Sequence, residues 1–107
     1  MKMMMVYMTA KHRREALKIG RALVGKRLAA CVNLLGPMES VYRWKGTVHH
    51  EKEVAFIAKT RASLVPKLIR AVRAMHRYEC PCIVAWPLTA GHPAFLKWIG
   101  DETRPPV

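Results

Sequence analysis

Residues 28–60, LAACVNLLGPMESVYRWKGTVHHEKEVAFIAKT, set the architecture of the chain. Residues 28–35 are an apolar run, and residues 40–44 resume a composition that is typical of a strand. Gly36-Pro37 lies between them, and because Pro cannot donate to a strand ladder, it marks either a bulge inside one long strand or a loop between two. Lys45-Gly46 predicts a turn, and the alternating residues 47–60 predict the partner strand of a long hairpin.

Five further segments flank the hairpin and are identified by their periodicity. Apolar residues at three- and four-residue steps predict helices, whereas short apolar runs predict strands. In chain order they are a strand at 2–9, a helix at 11–26, a helix at 63–76, a strand at 82–88 and a short helix at 93–99. The tail 101–107 is expected to be disordered.

This order of elements, β-α-β-β-α-β, predicts an α+β fold of the ferredoxin-like (split βαβ) type. Such a fold has a four-stranded antiparallel sheet with two main helices on one face, here followed by a short C-terminal helix. The length fits a single domain over residues 1–107. Because apolar residues such as Phe56 and Ile57 lie on both sides of the strands, we expect the uncovered face of the sheet to mediate self-association.

The composition excludes several classes of protein. Hydrophobic residues make up 51% of the chain and charged residues 24%, so it is not disordered, collagen-like or a coiled coil. The 19 Lys and Arg against seven Asp and Glu give a net charge of +12. This excess attracts nucleic acid, anionic membranes or anionic metabolites, but it also arises from solvated helix faces alone. The aromatic block of RNA-recognition strands is absent, so a nucleic-acid partner is not expected.

The cysteine count and the N-terminal segment bear on the compartment. Three cysteines at uneven spacing argue against a disulfide framework and for a reducing environment. The apolar run 3–8 is shorter than a signal-peptide core and far shorter than a membrane span. We therefore expect a cytoplasmic protein without a membrane partner.

Several spaced blocks of sequence carry a resemblance to a known family. They are Arg27-Leu-Ala-Ala-Cys31-Val-Asn33, Ser40-Val-Tyr-Arg-Trp44-Lys-Gly46, Glu53 through Lys59-Thr60, His76-Arg-Tyr78-Glu79-Cys-Pro81, Trp86-Pro87, Gly91 and Leu96-x-Trp98-Ile99. In this order they resemble the CutA divalent-cation-tolerance family over about residues 5–100. The resemblance implies a homotrimer with long hairpin strands that pair across subunits, a role in copper and divalent-metal tolerance, and no established catalysis. It also implies an architecture similar to that of the trimeric PII signalling proteins.

The resemblance also implies a candidate metal site. Copper-binding relatives are proposed to use a Cys at the end of the first strand, the His before the Tyr, and a carboxylate after the Pro. Here these positions are Met8, His76 and Cys82, so only the histidine is unchanged. Thioether, imidazole and thiolate would favour Cu(I) over hard cations, with core packing of Met8 and Cys82 as the alternative. The expected cofactor is copper or another divalent metal ion, and no organic cofactor is predicted.

The other cysteines give weaker signals. In Cys80-Pro81-Cys82 the two thiols share one side of an extended segment, with Cα atoms about 6.6 Å apart, so they could share a soft ion. Metal and redox motifs normally have two intervening residues, and no fourth ligand is evident. Cys31 is predicted to be a small buried hydrophobe.

A last group combines aromatic and basic side chains: Tyr42, Trp44, Tyr78, Arg43 and Lys59. Such groups line pockets for anions or nucleotides, and they also pack at subunit interfaces. Because no nucleophile–base pair, phosphate loop or paired catalytic carboxylates are found, the chain is not expected to be an enzyme. The alternative to metal tolerance is a PII-like sensor of a partner or of an anionic small molecule.

Overall fold

The computed structural model describes residues 2–105 and contains four strands and three α-helices within that range. In chain order they are β1 Met3–Ala10, α1 Arg13–Gly25, β2 Cys31–Trp44, β3 Thr47–Arg61, a 3-10 turn at Ala62–Leu64, α2 Val65–Met75, β4 Ile83–Pro87 and α3 Pro93–Glu102. All strand pairs are antiparallel, and the sheet order is β2-β3-β1-β4. The predicted ferredoxin-like fold is confirmed.

The two main helices begin and end at residues that the sequence makes suitable. His12 precedes α1, and its Nδ1 accepts a hydrogen bond from the backbone N–H of Glu15 at 3.2 Å. The helix ends at Gly25, after which Arg27 takes a φ of 59°. Pro66 lies in the first turn of α2, where its missing N–H is not needed.

The hydrophobic core lies between α1, α2 and one face of the sheet. Its fully buried members come from every layer: Val6 and Met8 of β1, Phe56 and Ala58 of β3, Ala16 and Leu23 of α1, Leu68 and Val72 of α2. Each of the Val, Leu, Met and Phe side chains among them, removed from water, contributes roughly 1.5–3 kcal/mol. The even-numbered residues of β1 therefore pack against both helices.

The opposite face of the sheet, which we call the open face, carries Met5, Tyr7, Ile57, Val84 and Trp86. Only one end of it is covered, where Ile99 of α3 packs with Met3 and Ala30. Elsewhere large apolar groups meet solvent, since 54% of Val84 and 44% of Trp86 are exposed. The predicted uncovered face is therefore present.

Of the two alternatives for Gly36-Pro37, a bulge inside one strand or a loop between two, the structure has the bulge. Leu34 pairs with Phe56 and Gly36 with Ala55, so Leu35 is the extra residue and β2 continues as one strand. Gly36 has a φ of 109°, a conformation that side chains with a Cβ rarely adopt. Because side chains alternate along a strand, the extra residue moves the even-numbered residues beyond it onto the open face.

Two predictions are wrong. The tail is not disordered from residue 101, because α3 continues to Glu102 and Thr103 is 98% buried, accepting a hydrogen bond from Arg61 at 3.0 Å. Pro106 and Val107 lie outside the described residues. Cys31 is not a buried residue in mid-strand: it begins β2, is partly exposed and lies 3.7 Å from Lys59 Nζ.

Candidate functional site

A cleft of about 550 Å³ lies where the open face meets the loop after α2. Its walls come from β1, from both strands of the hairpin and from that loop. The lining residues are Tyr7, Thr9, Met38, Ser40, Tyr42, Trp44, Glu53, Tyr78, Glu79, Cys80, Pro81 and Cys82. The volume falls within the range of small-molecule sites.

The β-bulge is the reason that the hairpin supplies so much of this lining. Beyond Leu35, the even-numbered side chains of β2 point to the same side as Tyr7 of β1 and Glu53 of β3. Met38 pairs with Glu53, and Tyr42 pairs with His49, whose ring stacks on Tyr42 at a centroid distance of 5.3 Å. Because Leu35 is left unpaired at the bulge, the even-numbered residues of outer β2 lie on this side of the sheet and form one wall of the cleft.

Hydrogen bonds connect side chains of different elements inside the cleft. The Tyr78 hydroxyl donates to Glu53 Oε2 at 2.8 Å, and the Tyr7 hydroxyl donates to Met38 Sδ at 3.6 Å. Burial, together with the hydrogen bond to the Glu53 carboxylate, raises the pKa of Tyr78 far above its usual range. Burial is also the main cause of the raised pKa of Tyr7 and of the raised pKa of the Cys82 thiol. Each of these groups is therefore held in its neutral form.

The rim of the cleft already holds an ammonium group. Lys45 Nζ lies 3.3 Å from Glu79 Oε2 and 5.6 Å from the centre of the Trp44 ring. Both Lys45 and Glu79 are largely exposed, so this ion pair contributes little to stability. It shows that an aromatic face and a carboxylate converge there at a distance that suits a cation.

The charge of the cleft is opposite in sign to that of the chain. None of the residues that line it is Lys or Arg, although the chain has 19 of them. Two of the seven acidic residues, Glu53 and Glu79, do line it. Sulfur atoms are available from Met38, Cys80 and Cys82. The residues that line the cleft therefore offer sulfur atoms and carboxylates to a cation, and the one cationic side chain at the rim, Lys45, is paired with Glu79.

The predicted ligand His76 is buried, and both of its ring nitrogens are in use. Nδ1 accepts from the backbone N–H of Tyr78 at 3.1 Å, and Nε2 donates to the carbonyl of Thr9 at 2.8 Å. These partners fix the neutral tautomer with the proton on Nε2. In this arrangement His76 ties the loop after α2 to the end of β1 and offers no free nitrogen to a metal ion.

The structure does not bring the other two predicted ligands together. Met8 is fully buried in the core on the helix side of the sheet, whereas Cys82 lines the cleft on the open face. The sheet itself therefore separates the thioether from the thiol. Within residues 2–105, no three His, Cys, Asp or Glu side chains form a ready-made metal cluster.

The aromatic and basic group separates in the same way. Tyr42, Trp44 and Tyr78 line the cleft as a set. Lys59 lies elsewhere, donating to Asn33 Oδ1 at 2.7 Å and sitting 5.8 Å from the Phe95 ring centre. Arg43 alternates with Tyr42 and Trp44 along β2 and so projects from the opposite face.

Sequence reasoning missed Glu53, Met38 and Tyr7 as members of the site. Their alternation was visible, but their meeting depends on the register of β2 and on the location of the extra residue at Leu35. The glycine at position 36 was the available signal, since bulges favour a residue with positive φ.

No helix of residues 2–105 has both the length and the apolar character needed to cross a membrane.

Comparison with known proteins identifies relatives of this chain. A family model described as "CutA1 divalent ion tolerance protein" matches residues 4–102. Protein CutA of Mus musculus is 42% identical over 98 residues, which are 92% of this chain and 55% of the mouse protein. The chain thus spans about half the length of that relative. Divalent-cation tolerance protein CutA of Thermus thermophilus is 40% identical over 92% of this chain and 95% of its own length.

Solved structures agree with the sequence comparison. The structure of the periplasmic divalent cation tolerance protein CutA from Archaeoglobus fulgidus superposes with a TM-score of 0.92 at 38% identity, covering 95% of this chain and 99% of that one. CutA1 from Oryza sativa gives a TM-score of 0.92 at 35% identity, covering 96% and 94%. With a matching family model and full-length relatives of the same fold, this chain belongs to the CutA1 divalent ion tolerance family.

Proposed function

We propose that this chain is a non-catalytic, metal-responsive protein that binds a soft cation in the open-face cleft. One observation carries the proposal: the cleft presents two thiols, a thioether and two carboxylates, and none of its lining residues is Lys or Arg. The names of the relatives describe tolerance of divalent cations and no reaction. A role in cation binding is therefore consistent with both the family and the charge of the cleft.

The donor set favours copper in its reduced state. Cys80, Cys82 and Met38 supply sulfur, and soft thiolate and thioether ligands select Cu(I). Met8 and His76 do not fit this role, because Met8 lies in the core and the nitrogens of His76 are hydrogen-bonded. Since burial raises the pKa of Cys82, binding of the metal must displace the thiol proton, and affinity should increase with pH.

The proposed assembly is the homotrimer that the family resemblance implies. Its support is the open face, where Val84 and Trp86 remain exposed, and the two edge strands β2 and β4, which have one neighbour each. Three copies that cover one another's open faces would remove this apolar surface from water. The proposed compartment is the cytoplasm, where three free cysteines would stay reduced.

The decisive experiment is a Cu(I) titration under reducing conditions in competition with a chromophoric chelator. We expect wild type to compete, and Cys82→Ser and Cys80→Ser to lose affinity by more than about tenfold. Cys31→Ser is the matched control, because its thiol lies beside Lys59 and outside the cleft. Equal affinity in all three variants and wild type would remove the cleft as the metal site.

A second candidate function is favoured by the size and aromatic walls of the cleft. A volume of about 550 Å³ lined by Tyr42, Trp44 and Tyr78 suits a small organic ligand, as in a PII-like sensor. The absence of Lys and Arg from the lining residues favours a cationic ligand over the anionic one expected from sequence. The ammonium group of Lys45, which lies between Glu79 and Trp44, shows how a cation can be bound at this rim.

Thermal denaturation in the presence of candidate ligands tests this alternative. A ligand that binds only the folded state stabilises it by roughly 2.7 kcal/mol at a hundred times its Kd. We expect choline or spermidine to raise the melting temperature of wild type but not that of Glu53→Gln. A shift with ATP instead of the cations, or no shift with any of them, would contradict this candidate.

A further inference from the structure

The two main helices and their flanking residues carry most of the basic residues of the chain on one surface. We call this the basic helical surface. It comprises Lys11, Arg13, Arg14, Lys18, Arg21, Lys26, Arg27, Lys67, Arg70, Arg73 and Arg77. These are eleven of the 19 Lys and Arg, and all eleven are exposed.

Within residues 2–105, this surface has almost no acidic residue to neutralise it. Glu15 is the only acidic residue of α1, and α2 has none. The Glu15 side chain is buried, and it accepts hydrogen bonds from the backbone N–H groups of Lys11 at 3.1 Å and Arg77 at 3.0 Å. None of the eleven basic side chains takes part in the ion pairs of the described residues.

This pattern differs from that of an ordinary solvated helix. Such helices usually mix charges, because Glu–Lys pairs three or four residues apart stabilise them and like charges at this spacing destabilise them. Here Arg14, Lys18 and Arg21 follow one another at four- and three-residue steps along α1. Lys67, Arg70 and Arg73 follow one another at three-residue steps along α2. Each helix therefore presents a row of cations that repel one another. Binding of an external polyanion would reduce this repulsion.

The fold joins the two rows into one surface. Both helices pack on the same side of the sheet, since Ile19 and Leu23 of α1 share a core with Leu68 and Val72 of α2. With 13 and 11 residues, the helices are about 20 and 16 Å long. Phosphates of one nucleic-acid strand are separated by several ångströms, so rows of this length match several consecutive phosphates.

The chemistry favours a phosphate backbone over a lipid surface. Seven of the eleven residues are Arg, whose planar guanidinium binds phosphate through two hydrogen bonds. A helix that binds a membrane interface needs an exposed apolar face, and Val24 is the only large hydrophobic residue of α1 and α2 that is strongly exposed in the described structure. The apolar faces of both helices are already used in the core.

We propose that the basic helical surface binds double-stranded nucleic acid through its phosphate backbone, without reading the bases. The missing aromatic block argues against recognition of single-stranded RNA by the sheet and does not bear on contacts made by the helices. The surface lies on the opposite side of the sheet from the cleft and is independent of the proposed metal response.

Fluorescence anisotropy with a labelled mixed-sequence DNA duplex tests the proposal with the chain of 107 residues. The first variant combines Arg14→Glu, Arg21→Glu, Arg70→Glu and Arg73→Glu. The matched control combines Lys2→Glu, Lys45→Glu, Lys97→Glu and Arg104→Glu, which changes the net charge equally and leaves α1, α2 and their flanking residues unchanged. Circular dichroism confirms that both variants fold before binding is compared.

At about 0.15 M salt, we expect wild type to bind the duplex, the helical variant to bind at least about tenfold more weakly, and the control to remain within about threefold of wild type. The slope of log K against log salt should fall by roughly 3–4 in the helical variant, about 0.9 for each phosphate contact removed.

Three results would overturn the proposal. Equal losses in both variants would show that only net charge matters. Absence of wild-type binding at this salt concentration would show that the charge serves solvation alone. Binding to phosphatidylserine-containing vesicles without binding to the duplex would assign the surface to membranes.

Discussion

The two faces of the sheet are completed in different ways. On one face, α1 and α2 close a core in which Phe56 and Leu23 are fully buried, and the outer surface of those helices is basic. On the other face, Trp86 remains 44% exposed, and the adjoining cleft is aromatic and contains carboxylates. The net charge of +12 therefore reflects the helical side of the molecule and not the cleft on the other side, which contains carboxylates. Because the sheet lies between them, one small domain presents two surfaces of opposite charge.

The largest expected effects distinguish the helix side of the sheet, which forms a core within one chain, from the open face, which is proposed to form the assembly surface. Phe56→Ala creates a cavity in the helix-side core and should lower the free energy of unfolding by about 3–5 kcal/mol, measured by urea denaturation. Trp86→Ala should instead weaken assembly, measured by light scattering during gel filtration across a dilution series. If Trp86→Ala leaves the oligomeric mass unchanged at every concentration, the open face is not the assembly surface.

A smaller effect should come from the bulge that links the two faces. Gly36→Val forces a β-branched residue into a φ of 109° where no atom obstructs its Cβ, so the cost is backbone strain of roughly 1–3 kcal/mol. The near-UV circular dichroism of Tyr42 and Trp44 should change in parallel, because their orientation depends on the bulge.

Gly25→Ala is the matched control for this strain. No atom lies within 4 Å of its added Cβ, and Gly25 lies at the end of α1. We expect the free energy of unfolding to stay constant or rise by up to about 1 kcal/mol. Equal losses for the two glycine variants would show that the positive φ at Gly36 costs nothing.

The smallest effect concerns the hydrogen bond between Tyr78 and Glu53. Tyr78→Phe should lower the free energy of unfolding by about 0.5–1.5 kcal/mol at neutral pH. Because the pKa of Tyr78 is raised in the folded state, the unfolded state loses this proton first as pH rises past about 10. The contribution is therefore complete below that pH and declines above it.

Urea denaturation between about pH 8 and 11 measures this dependence. The free energy of unfolding should fall more steeply with pH in wild type than in Tyr78→Phe. The difference between the two curves isolates Tyr78 from Tyr7, whose pKa is also raised. Parallel curves would show that folding does not raise the pKa of Tyr78, either by burial or through Glu53.

Much of the fold could be predicted from local patterns. The stripe of Leu68 and Val72 and the alternation of Val54 and Phe56 each depend on neighbours within a few turns or residues, and the structure has both. The end of α3 was missed because its last turn is held by a distant residue, Arg61, through Thr103.

The candidate site was less predictable because it depends on which face each strand presents. Met8 and Cys82 could be assigned to one site by family resemblance, but the pairing of Met8 with Ile83 puts the neighbouring Cys82 on the other side of the sheet. His76 has the right residue type, yet its hydrogen bonds to Tyr78 and Thr9 are visible only once the loop is placed. Register and hydrogen-bond partners are long-range properties that composition does not contain.

The extra residue at Leu35 also has an evolutionary consequence. Deleting this one codon would remove the bulge without changing the pairs beyond it, because Leu34 and Gly36 already pair with the adjacent residues Phe56 and Ala55. Tyr42 and Trp44 would still face the cleft. In evolution, β2 can thus gain or lose the bulge residue while the same side chains line the pocket.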